Sequence, residues 1–176
     1  MTNRRKVVLT GASGYVASLL LPALRERYDL TLLDVRTTDR EGNPVEGIQI
    51  ADLTSRDRES YRHHFQGADA IIHLGFTRPA DRNDLIAEYY AEQQNVEMAF
   101  HIYQTSLEEN VRRVVVASSN HAADYYERLI LAGKWDVVLP QQRALSDNFY
   151  GWAKEAYEHL GFVYATGQIS YAGMHP

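Results

Sequence analysis

The chain has 176 residues, 45% of them apolar, with 18 Lys and Arg against 23 Asp and Glu and a formal net charge of -5. That length suits one domain burying roughly 70% of its unfolded surface, and the composition excludes disorder, collagen and low-complexity chains. With no cysteine, disulfides, thiolate metal sites and Cys nucleophiles are excluded, and the acidic balance argues against non-specific binding to nucleic acid or anionic membrane.

Arg4, Arg5 and Lys6 precede an uncharged run from Val7 to Leu24, a pattern that resembles a signal peptide. Thr10-Gly11-Ala12-Ser13-Gly14 and Pro22 make that run too polar and too Gly-rich for one, or for a membrane span. The expectation is a cytoplasmic protein.

Lys6-Val7-Val8-Leu9-Thr10 reads as a buried strand that ends in a glycine turn. Tyr15 to Tyr28 reads as a helix with Val16, Leu19, Leu20 and Leu24 on its apolar face, interrupted by Pro22. Strands follow at Leu30 to Val35 and Gly47 to Ala51, with a turn at Gly42-Asn43-Pro44. Asp57 to Phe65 reads as a polar helix, and Ala70 to Leu74 as a fourth strand. Leu85 to Glu109 is a long helical stretch with Val96, Phe100, Tyr103 and Leu107 at helix spacing. Val111 to Ala117 is a fifth strand, Ala122 to Ala132 a helical insertion, and Asn148 to Ala165 the last helix. This alternation predicts an α/β fold, a doubly wound parallel sheet with helices on both faces, forming one domain over residues 1–176.

Four signals carry chemistry. Thr10 to Ala17 lies between the first strand and the first helix. Gly11 suits the tight turn, and Gly14 lets backbone approach a pyrophosphate at a helix start. Alone, such a pattern fits any tight βα turn; its placement favours a dinucleotide. Asp34 ends the second strand, 20 residues after Gly14. Its carboxylate can hold adenine-ribose hydroxyls and repel a 2′-phosphate, which favours NAD over NADP, while Arg36 nearby could pair with such a phosphate. Tyr150 and Lys154 share a helix face, and an adjacent ammonium stabilises a phenolate able to take a proton from a hydroxyl. With 12 tyrosines present, a surface pair is the bland alternative. Ser118-Ser119-Asn120-His121 follows the fifth strand, where ligands bind in such folds, although Ser and Asn also cap helices.

These signals, in this order, resemble the extended short-chain dehydrogenase/reductase family, of the NAD-dependent epimerase/dehydratase type, along nearly the whole chain. The resemblance implies a Rossmann-like three-layer sheet. It places NAD contacts at Gly11, Ser13, Gly14, Tyr15 and Val16 in the turn, and at Asp34 and Val35 after the second strand. Asp52-Leu53 would contact adenine. Leu74, Gly75, Phe76, Asn95, Ser118, Tyr150 and Lys154 would line the nicotinamide side, while His73, after three apolar residues, reads as a packed or hydrogen-bonded strand residue. Within the family, Ile72 to Gly75 and Val116 to His121 look most like uronate dehydrogenases, which oxidise a hexuronic acid to a lactone. That likeness makes Tyr150 the base, Lys154 its partner, and Ser119 a catalytic residue. Ser119, Asn120 and His121 would hold the sugar.

The insertion with Tyr125-Tyr126-Glu127-Arg128 is longer than the family's loop. The family also continues past this point with a further strand and a small substrate lobe, which in uronate dehydrogenases carries a carboxylate-binding arginine; no residue here is assigned that role, and Arg78, near the nicotinamide end, is the candidate substitute. The chain is therefore expected to be truncated, with about five strands, an open sugar site, low turnover and self-association as a homo-oligomer. The competing readings are a nucleotide-sugar epimerase or dehydratase, and an NAD-binding module without turnover. His63-His64 lacks a third ligand at metal spacing, so no metal is expected.

Overall fold

Val8 and Leu9 are wholly buried in the central strand of the computed structural model, β1 (Lys6–Thr10). The structure describes residues 4–81 and 83–166. β1 pairs in parallel with β2 (Asp29–Asp34) and with β4 (Ala70–His73), Val8 standing opposite Thr31 on one side and Ile71 on the other. β3 (Ile48–Ile50) adds to β2 and β5 (Val114–Val116) adds to β4, giving the parallel order β3-β2-β1-β4-β5. This is the doubly wound order, and burial of consecutive residues in β1 is the mark of a sheet covered on both faces.

The chain divides into two compact units. The first comprises residues up to Phe76 with His101–Ala117 and holds the whole sheet. The second comprises Thr77–Phe100 with the residues from Ser118 onward. Helix α3 (Leu85–Glu108) contributes to both, changing unit after Phe100. The second unit also holds a 3-10 segment at Asn120–Tyr126, then α4 (Glu127–Leu131) and α5 (Phe149–Ala165).

In the first unit, α1 (Tyr15–Arg27) packs through Ala17 and Leu21, with Leu24 beside them, against Leu9 and Leu32. The buried stripe is thus displaced from the expected one: Val16 and Leu19 are 50% and 63% exposed. The helix starts straight from Gly14 in extended conformation, and this sets its phase so that the small Ala17 faces the sheet. Pro22 does not break the helix. It removes the N–H partner of the Ser18 carbonyl, but Ser18 is exposed, so water can take that bond.

Other boundaries moved for local reasons. The expected helix at 57–65 is a single turn, α2 (Glu59–Arg62), followed by a 3-10 turn at His63–Phe65. The fifth strand begins only at Val114 because the end of α3 uses the preceding residues. Asn110 takes a left-handed conformation with φ 58°, its N–H bonds the Leu107 carbonyl, and the Val111 N–H bonds the Ser106 carbonyl. That double closure is the Schellman motif with asparagine in place of glycine. The expected segment Gly167 to Pro176 lies outside the described residues.

Helix α2 is tied to the end of α3 by a bidentate pair. Arg58 Nη1 and Nη2 donate to the Glu108 carboxylate at 2.7 and 2.9 Å, while Arg62 pairs with Glu109. The hydrogen bond from Arg58 holds the Glu108 carboxyl below its ordinary value of 4.5. A lowered folded value adds stability that is present above 4.5 and is lost as pH falls through the folded value. Glu108→Gln is therefore expected to flatten the acid side of the stability profile, read as urea midpoints from neutral to acid pH. An unchanged acid slope would remove this pair from the account.

Candidate active-site residues

In the first unit, the residues expected to hold a dinucleotide meet at the ends of β1, β2 and β4. Gly11 has φ 69°, and a Cβ there would lie 2.6 Å from the Gly75 nitrogen and from the Leu74 carbonyl carbon. Only glycine permits this approach of backbone to backbone. The Ser13 N–H donates to Asp34 Oδ2 at 2.9 Å and the Val35 N–H donates to Asp34 Oδ1 at 2.7 Å. Each oxygen keeps a lone pair for a further donor. Arg36 Nε donates to Ser13 Oγ at 2.9 Å, so the guanidinium lies against the same turn.

Several other expected contacts in this unit have local partners. Asp52 turns to Thr54, accepting from its N–H at 3.0 Å and its hydroxyl at 2.7 Å. Leu53 is buried and its carbonyl meets His101 Nδ1 at 3.0 Å. His73 is the packed, hydrogen-bonded strand residue expected, its Nδ1 lying 2.7 Å from Thr10 Oγ1. Leu74, Gly75 and Phe76 are half-buried, and Tyr15, Val16 and Val35 are exposed.

These residues fit a pyrophosphate. Gly14 caps α1 with no side chain bonded to the helix start, and no acid stands in its first turn. A Cβ on Gly14 would come within 3.1 Å of the Gly11 carbonyl oxygen. The open helix start favours negative charge, and the missing Cβ atoms leave the backbone accessible.

In the second unit, the residues expected to do proton chemistry gather around α5. Ser119 caps the 3-10 segment, its hydroxyl accepting from the His121 N–H at 3.2 Å. The His121 ring meets the Tyr150 ring edge-on with centroids 5.4 Å apart. Lys154 is buried, its Nζ 5.3 Å from the centre of the Tyr150 ring and 4.7 Å from that of Tyr157. Burial pushes the Lys154 ammonium below its ordinary value, and the Glu92 carboxylate opposes that shift.

Asn95 is buried and its amide is occupied. Its Oδ1 accepts the Thr77 N–H at 2.7 Å, and its Nδ2 donates to the Thr77 carbonyl at 3.0 Å and to Glu92 Oε2 at 3.2 Å. The residue expected to line the nicotinamide side thus clamps the strand-to-helix loop. Ser118 pairs with Glu158, and Asn120 Oδ1 lies 3.5 Å from Ser119 Oγ. Arg78 is exposed. Trp135 stacks on Tyr126 and Trp152 on Tyr89, so both tryptophans pack against tyrosines. The insertion closes on itself, with the Tyr126 hydroxyl donating to the Arg143 carbonyl at 2.8 Å.

Three residues escaped the reading of the sequence. Glu92 is buried, and burial raises its carboxyl above the ordinary value while Asn95 and Lys154 oppose the rise. Asp124 and Asn148 join the helix start to His121. The signal for Asn148 was its place before a helical run; a lone Asp in an insertion carries no such mark. Expected apolar positions on α3 also moved: Phe100 and Leu107 are exposed, and the polar Asn95, His101 and Thr105 are buried.

The sequence pattern of the NAD dependent epimerase/dehydratase family matches residues 7–174. The chain is 29% identical to an L-arabinose 1-dehydrogenase (NAD(P)(+)) of Haloferax volcanii, with 91% of this chain and 61% of that protein covered. It is 27% identical to a uronate dehydrogenase of Pseudomonas syringae pv. tomato, over 90% of this chain and 54% of the other. Among solved structures it is similar to a mutated uronate dehydrogenase, with a TM-score of 0.70 and 28% identity over 91% of this chain and 54% of that one. A glucuronic acid dehydrogenase of Chromohalobacter salexigens gives a TM-score of 0.67 at 26% identity, covering 91% and 55%. The chain therefore spans little more than half the length of these relatives.

Gly151 is where α5 meets the 3-10 segment. A Cβ there would lie 2.0 Å from the His121 carbonyl oxygen and 2.1 Å from Ser146 Oγ. Alanine normally favours a helix over glycine by about 1 kcal/mol. Here Gly151→Ala is expected to lower stability by about 1–3 kcal/mol, because a backbone atom must move. Urea unfolding checks this, and a stabilised Gly151→Ala protein would contradict the packing described.

Proposed function

Because the chain belongs to the NAD dependent epimerase/dehydratase family, we propose that it is an NAD-dependent oxidoreductase acting on a sugar hydroxyl, with the anomeric hydroxyl of a hexuronic acid as substrate and an aldarolactone as product. The observation that carries this reading is the run of contacts from Ser119 through His121 and Tyr150 to Lys154 within one compact unit. The similarity to uronate and arabinose dehydrogenases supports a sugar as substrate. The loop continuing as Ala122-Ala123-Asp124 favours a dehydrogenase over a nucleotide-sugar epimerase.

The chemistry asks for a proton acceptor at the oxygen of the carbon that loses hydride. Tyr150 phenolate takes that proton, and the buried Lys154 ammonium stabilises the phenolate in surroundings where charge is poorly screened. Ser119 hydrogen-bonds the same oxygen and orients it. Asn120 and His121 bind the ring hydroxyls. In the first unit, Gly11 and Gly14 admit the pyrophosphate to the start of α1, and Asp34 takes the ribose hydroxyls with its remaining lone pairs. NAD, when bound, supplies the hydride acceptor.

The direct test is absorbance at the nicotinamide band with NAD and glucuronate or galacturonate. Tyr150→Phe is expected to lower turnover by about 10²–10⁴ while leaving NAD binding nearly intact. Lys154→Met is expected to weaken both. Full activity in the Tyr150→Phe protein would eliminate this role for Tyr150.

A second expectation concerns the choice of cofactor. Asp34→Ala removes the ribose acceptor and also the partner of the Ser13 and Val35 N–H groups. It is expected to weaken NAD binding and to narrow the gap to NADP, since Arg36 remains beside the turn. Titration with both cofactors checks it; tighter NADP binding by the unmodified protein would sink the assignment.

A further inference from the structure

Among the described residues, one ring nitrogen of His121 has a protein partner. Its Nδ1 lies 2.6 Å from Asp124 Oδ2, and the same oxygen is met by Asn148 Nδ2 at 2.8 Å. Asn148 in turn caps α5, its Oδ1 accepting the Gly151 N–H at 2.8 Å. A backbone N–H is only a donor, so the bonded Asn148 atom must be its oxygen, and the amide nitrogen must face Asp124. A carboxylate oxygen is only an acceptor, so His121 Nδ1 must carry the hydrogen that points at it. The polarity of every bond in this chain is thus dictated from the first turn of the helix that bears Tyr150.

We infer that Asp124, held by the cap Asn148, is a positioning residue that fixes neutral His121 as the Nδ1–H tautomer and presents Nε2 as an acceptor for a ligand hydroxyl. This rests on the proposed sugar reading only for the identity of the ligand. The Asp124 side chain is 16% exposed and that of His121 is 50% exposed, so the clamp is sheltered while the imidazole remains reachable. The two rings meet at 69° with centroids 5.4 Å apart, which puts the accepting nitrogen on a residue that touches Tyr150. His121 therefore reads a hydroxyl of the substrate, a donor. A substrate carboxylate offers it no hydrogen to accept.

The test uses the whole chain. Long-range proton–nitrogen correlation spectra, recorded above the imidazole titration range and assigned by loss of signals in His121→Gln, report which nitrogen carries hydrogen. The unmodified protein is expected to show His121 protonated at Nδ1. Asp124→Ala should shift it toward protonation at Nε2, and Asp124→Asn, which keeps an acceptor oxygen, should restore the first pattern. Protonation at Nε2 in the unmodified protein, or an unchanged pattern in Asp124→Ala, would overturn the inference. The kinetic arm expects Asp124→Ala to raise KM for the hexuronate about tenfold, the scale of one lost hydrogen bond, with a smaller change in kcat and none in NAD affinity. A fall in kcat with KM unchanged would overturn the role in presenting Nε2. The spectra decide the tautomer even where the unmodified protein turns over no hexuronate, which is the result that removes the sugar reading by itself.

Discussion

The first unit depends on one missing atom. At Gly11 the chain turns from β1 with φ 69° while the backbone of Leu74 and Gly75 passes 2.6 Å from where a Cβ would be. Because the turn is that tight, the Leu74 N–H can reach the Thr10 carbonyl and the Ala12 N–H the Leu33 carbonyl. The same turn delivers Ser13 to Asp34 and starts α1 at Gly14, so that Ala17 rather than Val16 meets the sheet. The geometry of the glycine turn and the core packing therefore share one cause.

The second unit repeats the device with different chemistry. Gly151 has ordinary helical backbone, and what it contributes is the space for the His121 carbonyl. The 3-10 segment is pressed onto the start of α5 there, and Asn148 and Asp124 supply the polar seam beside the contact. Tyr150 and His121 meet because the helix carries a glycine next to the tyrosine.

Burial gives this unit its electrostatic character. Glu92 and Lys154 are both almost fully buried, and burial drives each toward its neutral form while their mutual attraction resists. Asn95 joins the pair to the loop at Thr77. The amide clamps backbone and buried carboxylate together, a structural use of a residue whose type and position alone suggest ligand contact.

Local chemistry was sufficient for much of this. The β-branched run Lys6–Thr10 before Gly11, the apolar Ala70–His73, and the spacing from Gly14 to Asp34 each carry their structure in a few neighbouring residues, so the parallel strands and the tight glycine turn were legible in the chain. So was the pairing of Tyr150 with Lys154, because helix geometry puts residues four apart on one face. What neighbouring residues could not decide was phase and partnership. Which face of α1 is buried depends on how Gly14 leaves the turn, and where β5 begins depends on Asn110 and Val111 closing α3. Glu92 and Asp124 look like ordinary surface acids in sequence. Only tertiary packing brings Lys154 near the one and Asn148 to the other, since these partners lie on separate elements and burial is a property of the folded chain, not of the residue; His121 reaches Asp124 within one 3-10 segment.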